Sequence, residues 1–163
     1  MKTLIVYYSQ SENTAFAARA VADQLGAALL RLEPEKAYPA AGFRKFFWGG
    51  KAAVMAEKPA LRPYAFDADA WDRVVLGFPV WAGTFAPPLR SFVAAHREAL
   101  RGVRVAAFAC QSGAGAEKAL AKLKELIGVD AFEAELILID PKDKPSPEND
   151  AKIVAFCELC RRG

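Results

Sequence analysis

Apolar runs alternate with stretches of helical periodicity along this chain. The runs are residues 3–8, 28–32, 72–77, 103–109 and 132–139. Apolar positions at helical spacing follow in residues 13–26, from Pro87 onward, in 116–127 and in 148–160. Strands that are apolar throughout are typical of a parallel sheet buried on both faces. The pattern therefore predicts an α/β fold, and since no linker or repeat divides residues 1–163, a single domain.

The segment between the second and third runs breaks this alternation. From Glu35 to Arg62 it holds six Lys or Arg and two acids, and it is dense in aromatic residues. Phe43 and Phe47, spaced i, i+4, would share one face of a helix. The segment is either a helix that packs its aromatic rings onto the sheet, or a cap whose positive charge faces an acidic partner or a nucleotide.

Composition narrows the class of protein. With 163 residues, 53% of them hydrophobic and 25% charged, the chain can bury one sizeable core. No apolar run approaches the roughly 18 residues that span a membrane, and no signal peptide is evident, so we expect a cytoplasmic protein without a membrane partner. The net charge of +3 is small and its basic residues are dispersed, which argues against nucleic acid.

The three cysteines do not form a disulfide framework. Cys157 and Cys160 are spaced i, i+3 near the end of the last helix, where they would line one apolar face with Ile153 and Phe156. We interpret them as structural, and we identify no metal ligands. His96 is interpreted as a helix-surface residue, and no side chain is an evident catalytic acid or base.

A polar turn between the first strand and the first helix is the first candidate binding site. It consists of Ser9, Gln10, Ser11, Glu12, Asn13 and Thr14. The first N–H groups of a helix lack partners and its dipole is positive there, so phosphate binds readily at such an end. The serine and threonine hydroxyls add donors. A simple N-cap without a ligand remains the alternative.

Two more loops should meet this turn, because ligands bind beyond the carboxyl ends of the strands in an open parallel sheet. After the third strand, Trp81 and Phe85 offer flat apolar surfaces and Gly83 permits close backbone approach. After the fourth strand comes Gln111-Ser112-Gly113-Ala114-Gly115, which can present N–H groups to a polar edge. The three loops together predict a site for a phosphorylated, flat heterocycle.

These three motifs resemble those of the flavodoxin-like family, and the resemblance extends over nearly the whole chain. The turn at 9–14 is similar to the family's phosphate loop, residues 77–84 with Pro87-Pro88 to its flavin-ring loop, and residues 111–115 to its third contact loop. Trp48-Gly49-Gly50-Lys51 in the insert resembles a subgroup of short, stand-alone members. The resemblance implies a three-layer sandwich with strand order 2-1-3-4-5, noncovalently bound FMN and one- or two-electron redox work.

The resemblance also implies roles for individual residues. Ser9, Ser11, Asn13 and Thr14 would bind the phosphate, and Gln10 and Glu12 would contribute mainly backbone N–H groups. Trp81 would lie against or beside the isoalloxazine, after Pro79 and Val80. The backbone of Ala82, Gly83, Thr84 and Phe85 would face N5 and the pyrimidine edge of the ring. Ser112, Gly113 and Gly115 would close the far side.

Glu12 departs from the family pattern, which commonly has glycine there. A carboxylate beside a dianionic phosphate is unfavourable unless it turns outward, and a positive φ at this position would strain any residue but glycine. We therefore expect weaker FMN binding than is usual in the family.

Charge around the flavin is a second departure. Flavodoxins that carry electrons are typically acidic, whereas from Arg73 to Ala116 the only acid of this chain is Glu98. With few carboxylates near the ring, we expect full reduction of the flavin at a less negative potential than in acidic flavodoxins.

The sequence is compatible with two redox functions and with a third, non-redox function. The chain is either an FMN-dependent carrier that passes electrons between protein partners, or a reductase that passes hydride from NADH or NADPH to a quinone or similar small acceptor. The third is a flavodoxin-like domain that has lost FMN and serves as a binding module. A monomer and a homodimer are equally compatible with the sequence.

Overall fold

Strands and helices alternate in the computed structural model, which describes residues 1–38 and 57–163. The strands are β1 (Thr3–Tyr7), β2 (Ala28–Arg31), β3 (Arg73–Trp81), β4 (Thr84–Phe85), β5 (Arg104–Gln111) and β6 (Glu135–Ile139). The helices are α1 (Asn13–Leu25), α2 (Pro87–Arg101), α3 (Ala116–Ile127) and α4 (Pro147–Arg162), with a 3₁₀ turn at Ala68–Ala70. The helix predicted around Phe43 and Phe47 and the Trp48–Lys51 motif lie outside the described residues.

The sheet has the predicted parallel core. Its strand order is β2-β1-β3-β5-β6, and β4 pairs antiparallel with the end of β3. The five parallel strands therefore follow the predicted order 2-1-3-4-5, with β4 as an extra strand that shifts the numbering. The predicted α/β fold is confirmed.

Two apolar cores, one on each face of the sheet, make the arrangement three-layered. One core joins the sheet to α2 and α3 through residues such as Leu89, Phe92 and Leu120. The other joins it to α1 and α4, where Cys157 and Cys160 are buried in the same cluster as Ile153 and Phe156. All three cysteines are free and buried, so the structural interpretation of the last two is confirmed. Within residues 1–38 and 57–163, no helix is long and apolar enough to cross a membrane.

The third strand runs four residues beyond its predicted end, to Trp81. The chain turns at Ala82 and Gly83, whose φ angles are 50° and 72°, and pairs back as β4. Two residues of positive φ between antiparallel strands form the tight turn whose twist matches that of the strands. The segment predicted as an open loop is therefore partly a hairpin, in which Thr84 and Phe85 are buried.

His96 differs from its interpretation as a helix-surface residue. It is half-buried and packs against the rings of Phe66 and Phe92, with Nε2 lying 2.8 Å from the hydroxyl of Tyr64. The sequence offered no sign of this contact, because Tyr64 and Phe66 belong to the irregular chain before β3. Burial lowers the pKa of His96.

A buried ion pair fixes the amino-terminal end of β3. Arg73, 3% exposed, donates from Nε and Nη2 to the two carboxylate oxygens of Glu133 at 2.5 and 2.8 Å. The same guanidinium also donates to the hydroxyl of Thr3 and to the backbone carbonyl of Cys160 at the end of α4. One side chain thereby links β1, β3, the chain before β6 and the closing helix.

Loss of this pair should destabilise the whole fold. Replacing Glu133 with Gln leaves a buried guanidinium without its counter-charge, and breaking a buried pair in this way costs about 3–5 kcal/mol. Urea denaturation should therefore show a large fall in midpoint for Glu133→Gln. The matched control is Glu98→Gln, which breaks the exposed Glu98–Arg101 pair at 3.5 Å and should shift stability by less than about 0.5 kcal/mol. Equal midpoints for the two variants would contradict this account.

Candidate functional site

The register of the sheet brings three loops to one edge. Tyr7 pairs with Gly77, and Gly77 pairs with Phe108, so β1, β3 and β5 reach the same level before the chain leaves them. A cavity of about 90 Å³ opens where these loops meet. Its lining comes from all three loops and from one residue after β6: Gln10, Ser11, Asn13, Pro79, Val80, Trp81, Cys110, Gln111, Ser112 and Asp140.

The first loop presents backbone donors at the start of α1. In the described part of the chain, the N–H groups of Ser11, Glu12, Asn13 and Thr14 donate to no other group. The next N–H, that of Ala15, donates to the hydroxyl oxygen of Ser9 at 3.0 Å, and Ser9 is 5% exposed. Four unused N–H groups beside a cavity are the arrangement that binds a tetrahedral anion.

Glu12 occupies the strained position that its departure from glycine suggested. It precedes α1 with φ of 68°, in the left-handed region. Its carboxylate turns away to Arg31, with Oε1 2.6 Å from Nη2, and Nη2 also donates to the carbonyl of Ser9 at 3.0 Å. The hydrogen bond from Arg31 lowers the pKa of Glu12, so the carboxylate is ionised but paired. Arg31 thus offsets part of the repulsion that a nearby phosphate would meet.

A fourth loop, which the sequence analysis missed, closes the cavity after β6. The side chain of Asn13 accepts from the backbone N–H groups of Lys142 and Asp143 at 2.9 and 3.1 Å, and donates to the Asp143 carboxylate at 3.0 Å. Asn13 therefore binds this loop rather than pointing a free amide into the cavity. The charged residues Asp140, Lys142 and Asp143, which follow β6, could have indicated a functional loop. Nothing in their spacing indicated that this loop would contact the first one.

Asp140 places a carboxylate in the cavity wall. It is 9% exposed with φ of 39°, accepts from the Ser112 hydroxyl at 2.8 Å and pairs with Lys144 at 3.5 Å. The expectation of few acids near the ring, drawn from residues 73–116, did not include this residue. Ser112 is accordingly directed to Asp140, and Gln111 accepts from the first N–H of α3 at 2.9 Å.

Trp81 stands between the first cavity and a cluster of tyrosines. Its ring lies edge-on to Tyr8 and Tyr38, with centroids 5.7 and 5.3 Å away. These contacts fix the indole while part of it still lines the cavity. Trp81 can therefore offer an ordered aromatic surface to a ligand.

Two predicted contact residues, Thr84 and Phe85, form the second strand of the hairpin and are buried. Phe85 is 1% exposed and packs against Phe78, so its ring does not reach the cavity. The hydroxyl of Thr84 is buried and has no hydrogen-bond partner among the residues that the structure describes. An unsatisfied buried hydroxyl costs about 1–3 kcal/mol, and a polar ligand edge at this hairpin would recover part of that.

Thr14 and Cys110 are buried behind the cavity. Thr14 is 1% exposed, and burial raises the pKa of the Cys110 thiol to about 12. The thiol is therefore neutral and not nucleophilic at physiological pH.

A larger open groove, about 860 Å³, lies at the opposite edge of the sheet beside Met1, Asp72 and Arg104, and contains none of the predicted contact residues.

Comparison with known proteins matches this geometry to one family. A family profile described as Flavodoxin matches residues 2–141. No curated protein sequence matches the chain. Among solved structures, a candidate flavoprotein from Bacteroides eggerthii has a TM-score of 0.78 at 20% identity, covering 97% of this chain and 96% of that one.

Two further structures show the same architecture. The Lactobacillus acidophilus flavoprotein, solved in complex with FMN, has a TM-score of 0.70 at 21% identity, covering 87% of this chain and 95% of its own. A flavodoxin from Streptococcus pneumoniae has a TM-score of 0.60 at 15% identity and covers both chains fully. At these identities the likeness shows the fold alone.

The contact between the second and third loops yields a testable prediction. Gly115 has φ of 104°, and a Cβ there would lie 3.0 Å from the Cα of Gly83 and 3.2 Å from Val80. Gly115→Ala should destabilise the protein by about 1–3 kcal/mol in urea denaturation, because it adds both backbone strain and a clash. Gly113→Ala is the matched control, since a Cβ at Gly113 meets nothing within 4 Å. A Gly115→Ala midpoint equal to that of Gly113→Ala would show that the loops are not held together here.

Proposed function

The chain belongs to the flavodoxin family, and from this premise we propose that it is an FMN-binding electron-transfer protein. One observation carries the proposal: unused N–H groups, an ordered indole and a third loop line the same cavity at the carboxyl edge of the sheet. The FMN complex of the Lactobacillus acidophilus flavoprotein, which has the same fold, supports it. When bound, FMN would supply one- or two-electron redox chemistry.

The phosphate would be held by the first loop. The N–H groups of Ser11 to Thr14 can donate to phosphate oxygens, and the hydroxyls of Ser9 and Ser11 retain protons to donate. Lys142 lies close enough for its charge to lower the pKa of Glu12, and its side chain is exposed without an ion pair in the described part of the chain. Lys142 and the exposed Arg19, whose charge also lowers the pKa of Glu12, are the available cations near this loop.

The remaining residues would position the ring. The cavity of about 90 Å³ is far below the 300–1,000 Å³ typical of enclosed ligand sites, so it accommodates a phosphate-sized group and not a three-ring heterocycle. The flavin ring would therefore lie at the open rim, with Trp81 as its apolar surface. A ring at the rim stays accessible to a protein partner, which favours the carrier over a reductase that encloses its substrate.

Direct titration tests the cofactor assignment. Adding FMN to the purified protein should give saturable quenching of flavin fluorescence and a shifted flavin absorbance band. Riboflavin, which lacks the phosphate, should bind at least about tenfold more weakly, because it loses the charge-assisted hydrogen bonds of the first loop. Absence of any protein-bound flavin spectrum would favour the loss of FMN and a role as a binding module.

Turnover separates the two redox classes. The FMN-loaded protein should show little steady oxidation of NADH or NADPH with a quinone, because the cavity formed by the described residues leaves no enclosed space for a nicotinamide beside the ring. Sustained turnover, in which each nicotinamide loses a hydride and each quinone gains two electrons and two protons, would overturn the carrier and establish the reductase.

Glu12 yields a second prediction. Its positive φ strains the backbone where α1 begins, and Arg31 is paired with its carboxylate. Glu12→Gly should therefore tighten FMN only about threefold to tenfold, by removing the residual repulsion of the phosphate. Fluorescence titration measures the two dissociation constants.

Riboflavin is the control for this variant. With no phosphate to repel, its dissociation constant should be the same for Glu12→Gly and the unsubstituted protein. An FMN dissociation constant that does not change, or an equal gain for riboflavin, would show that the charge of Glu12 does not act on the phosphate.

A further inference from the structure

A second cavity lies on the β2 side of the first loop. Its volume is about 400 Å³, within the range typical of small-molecule sites. Gln10 belongs to the walls of both cavities, whereas Trp81 lines only the smaller one. The residues that give the second cavity its chemistry are Tyr8, Arg31, Leu32, Pro34, Tyr38 and Arg62.

Two tyrosine hydroxyls in this cavity are available as donors. Tyr8 is 5% exposed and Tyr38 is half-buried, and neither hydroxyl has a hydrogen-bond partner among the described residues. Burial raises the pKa of Tyr8, and it raises the pKa of Tyr38 to about 12, so both phenols keep their protons at neutral pH. Each can donate to an oxygen atom of a ligand.

Two of the three charged side chains that line the cavity are basic, Arg31 and Arg62, and the third is Glu33. The guanidinium of Arg62 is 65% exposed and lies 3.8 Å from Glu33, too long and too solvated a pair to hold it firmly. Arg31 lies deeper and is already bonded to Glu12 and to the carbonyl of Ser9. Arg62 is therefore the cation of this cavity that can turn to a ligand, whereas the charge of Arg31 is already paired with Glu12.

Apolar surfaces complete the recognition. The Tyr8 and Tyr38 rings cross at 70° with centroids 6.4 Å apart, and Leu32 and Pro34 also line the cavity. A flat ring can pack against these apolar surfaces, and an anionic oxygen group can accept hydrogen bonds from the phenols and from Arg62. We propose that this cavity binds a small aromatic carboxylate, with its ring among the tyrosines and its carboxylate toward Tyr38 and Arg62. The site does not depend on FMN binding at the first cavity.

Calorimetry with 2-naphthoate tests the site. The probe should bind saturably to both FMN-free and FMN-loaded protein, and the neutral 2-naphthamide should bind at least about tenfold more weakly. Tyr38→Phe keeps the ring and removes the hydroxyl, and Arg62→Gln removes the cation; each should weaken 2-naphthoate about fivefold to tenfold. Arg101→Gln is the matched control, because Arg101 also forms an exposed ion pair, on α2, and should leave binding unchanged.

Three outcomes would overturn the proposal. The first is no saturable heat with 2-naphthoate at millimolar concentration. The second is equal affinity for the Tyr38→Phe, Arg62→Gln and Arg101→Gln variants, with unchanged urea midpoints showing that all are folded. The third is loss of 2-naphthoate binding when FMN is loaded, which would place the probe in the first cavity. None of the three bears on whether FMN itself binds.

Discussion

The parallel register of β1, β3 and β5 is the constraint on which the candidate site depends. Tyr7, Gly77 and Phe108 lie side by side across these strands, so the residues that follow them leave the sheet at one edge. A shift of one residue would exchange the two faces of a strand and move its loop along the edge. Gly77 helps to fix this register, because a Cβ there would lie 2.2 Å from the ring of Phe108. The packing that fixes the strand register therefore also fixes the positions of the loops that form the site.

The sequence was sufficient wherever a long, uniform pattern determined the structure. Apolar runs predicted all five parallel strands, and the first and third helices were placed within a residue of their observed bounds. It was insufficient for β4, because two residues are too short for any pattern and the pairing depends on the turn at Ala82 and Gly83. The partial burial of His96 could not be predicted for a related reason, because its partner Tyr64 lies in an irregular part of the chain that has no sequence pattern.

Long-range polar contacts within the site were the other limit. Glu12 and Arg31 are far apart in sequence, and only the pairing of β1 with β2 brings Arg31 beside the first loop. The interpretation of Glu12 as a source of strain was sound, but its charge could not be judged without knowing its partner. Asp140 was missed likewise, since its position in the wall follows from the β5–β6 register and from Ser112. Sequence patterns therefore predicted where the loops lie, but not which distant side chains the loop residues would contact.

The charges around the two cavities separate two kinds of anion recognition. Beside the first loop, each nearby carboxylate already has a partner: Glu12 has Arg31, Asp140 has Ser112 and Lys144, and Asp143 has Asn13. An arriving phosphate would thus depend chiefly on N–H groups that the start of α1 holds in fixed directions, and such groups suit a tetrahedral dianion. None of the described residues that line the second cavity belongs to a helix. Its donors are phenols and the exposed guanidinium of Arg62 beside aromatic and apolar side chains, which suit a planar anion. Arg31 lies between the two, and its guanidinium is already bonded to Glu12 and to the carbonyl of Ser9, so neither site gains an unpaired cation from it.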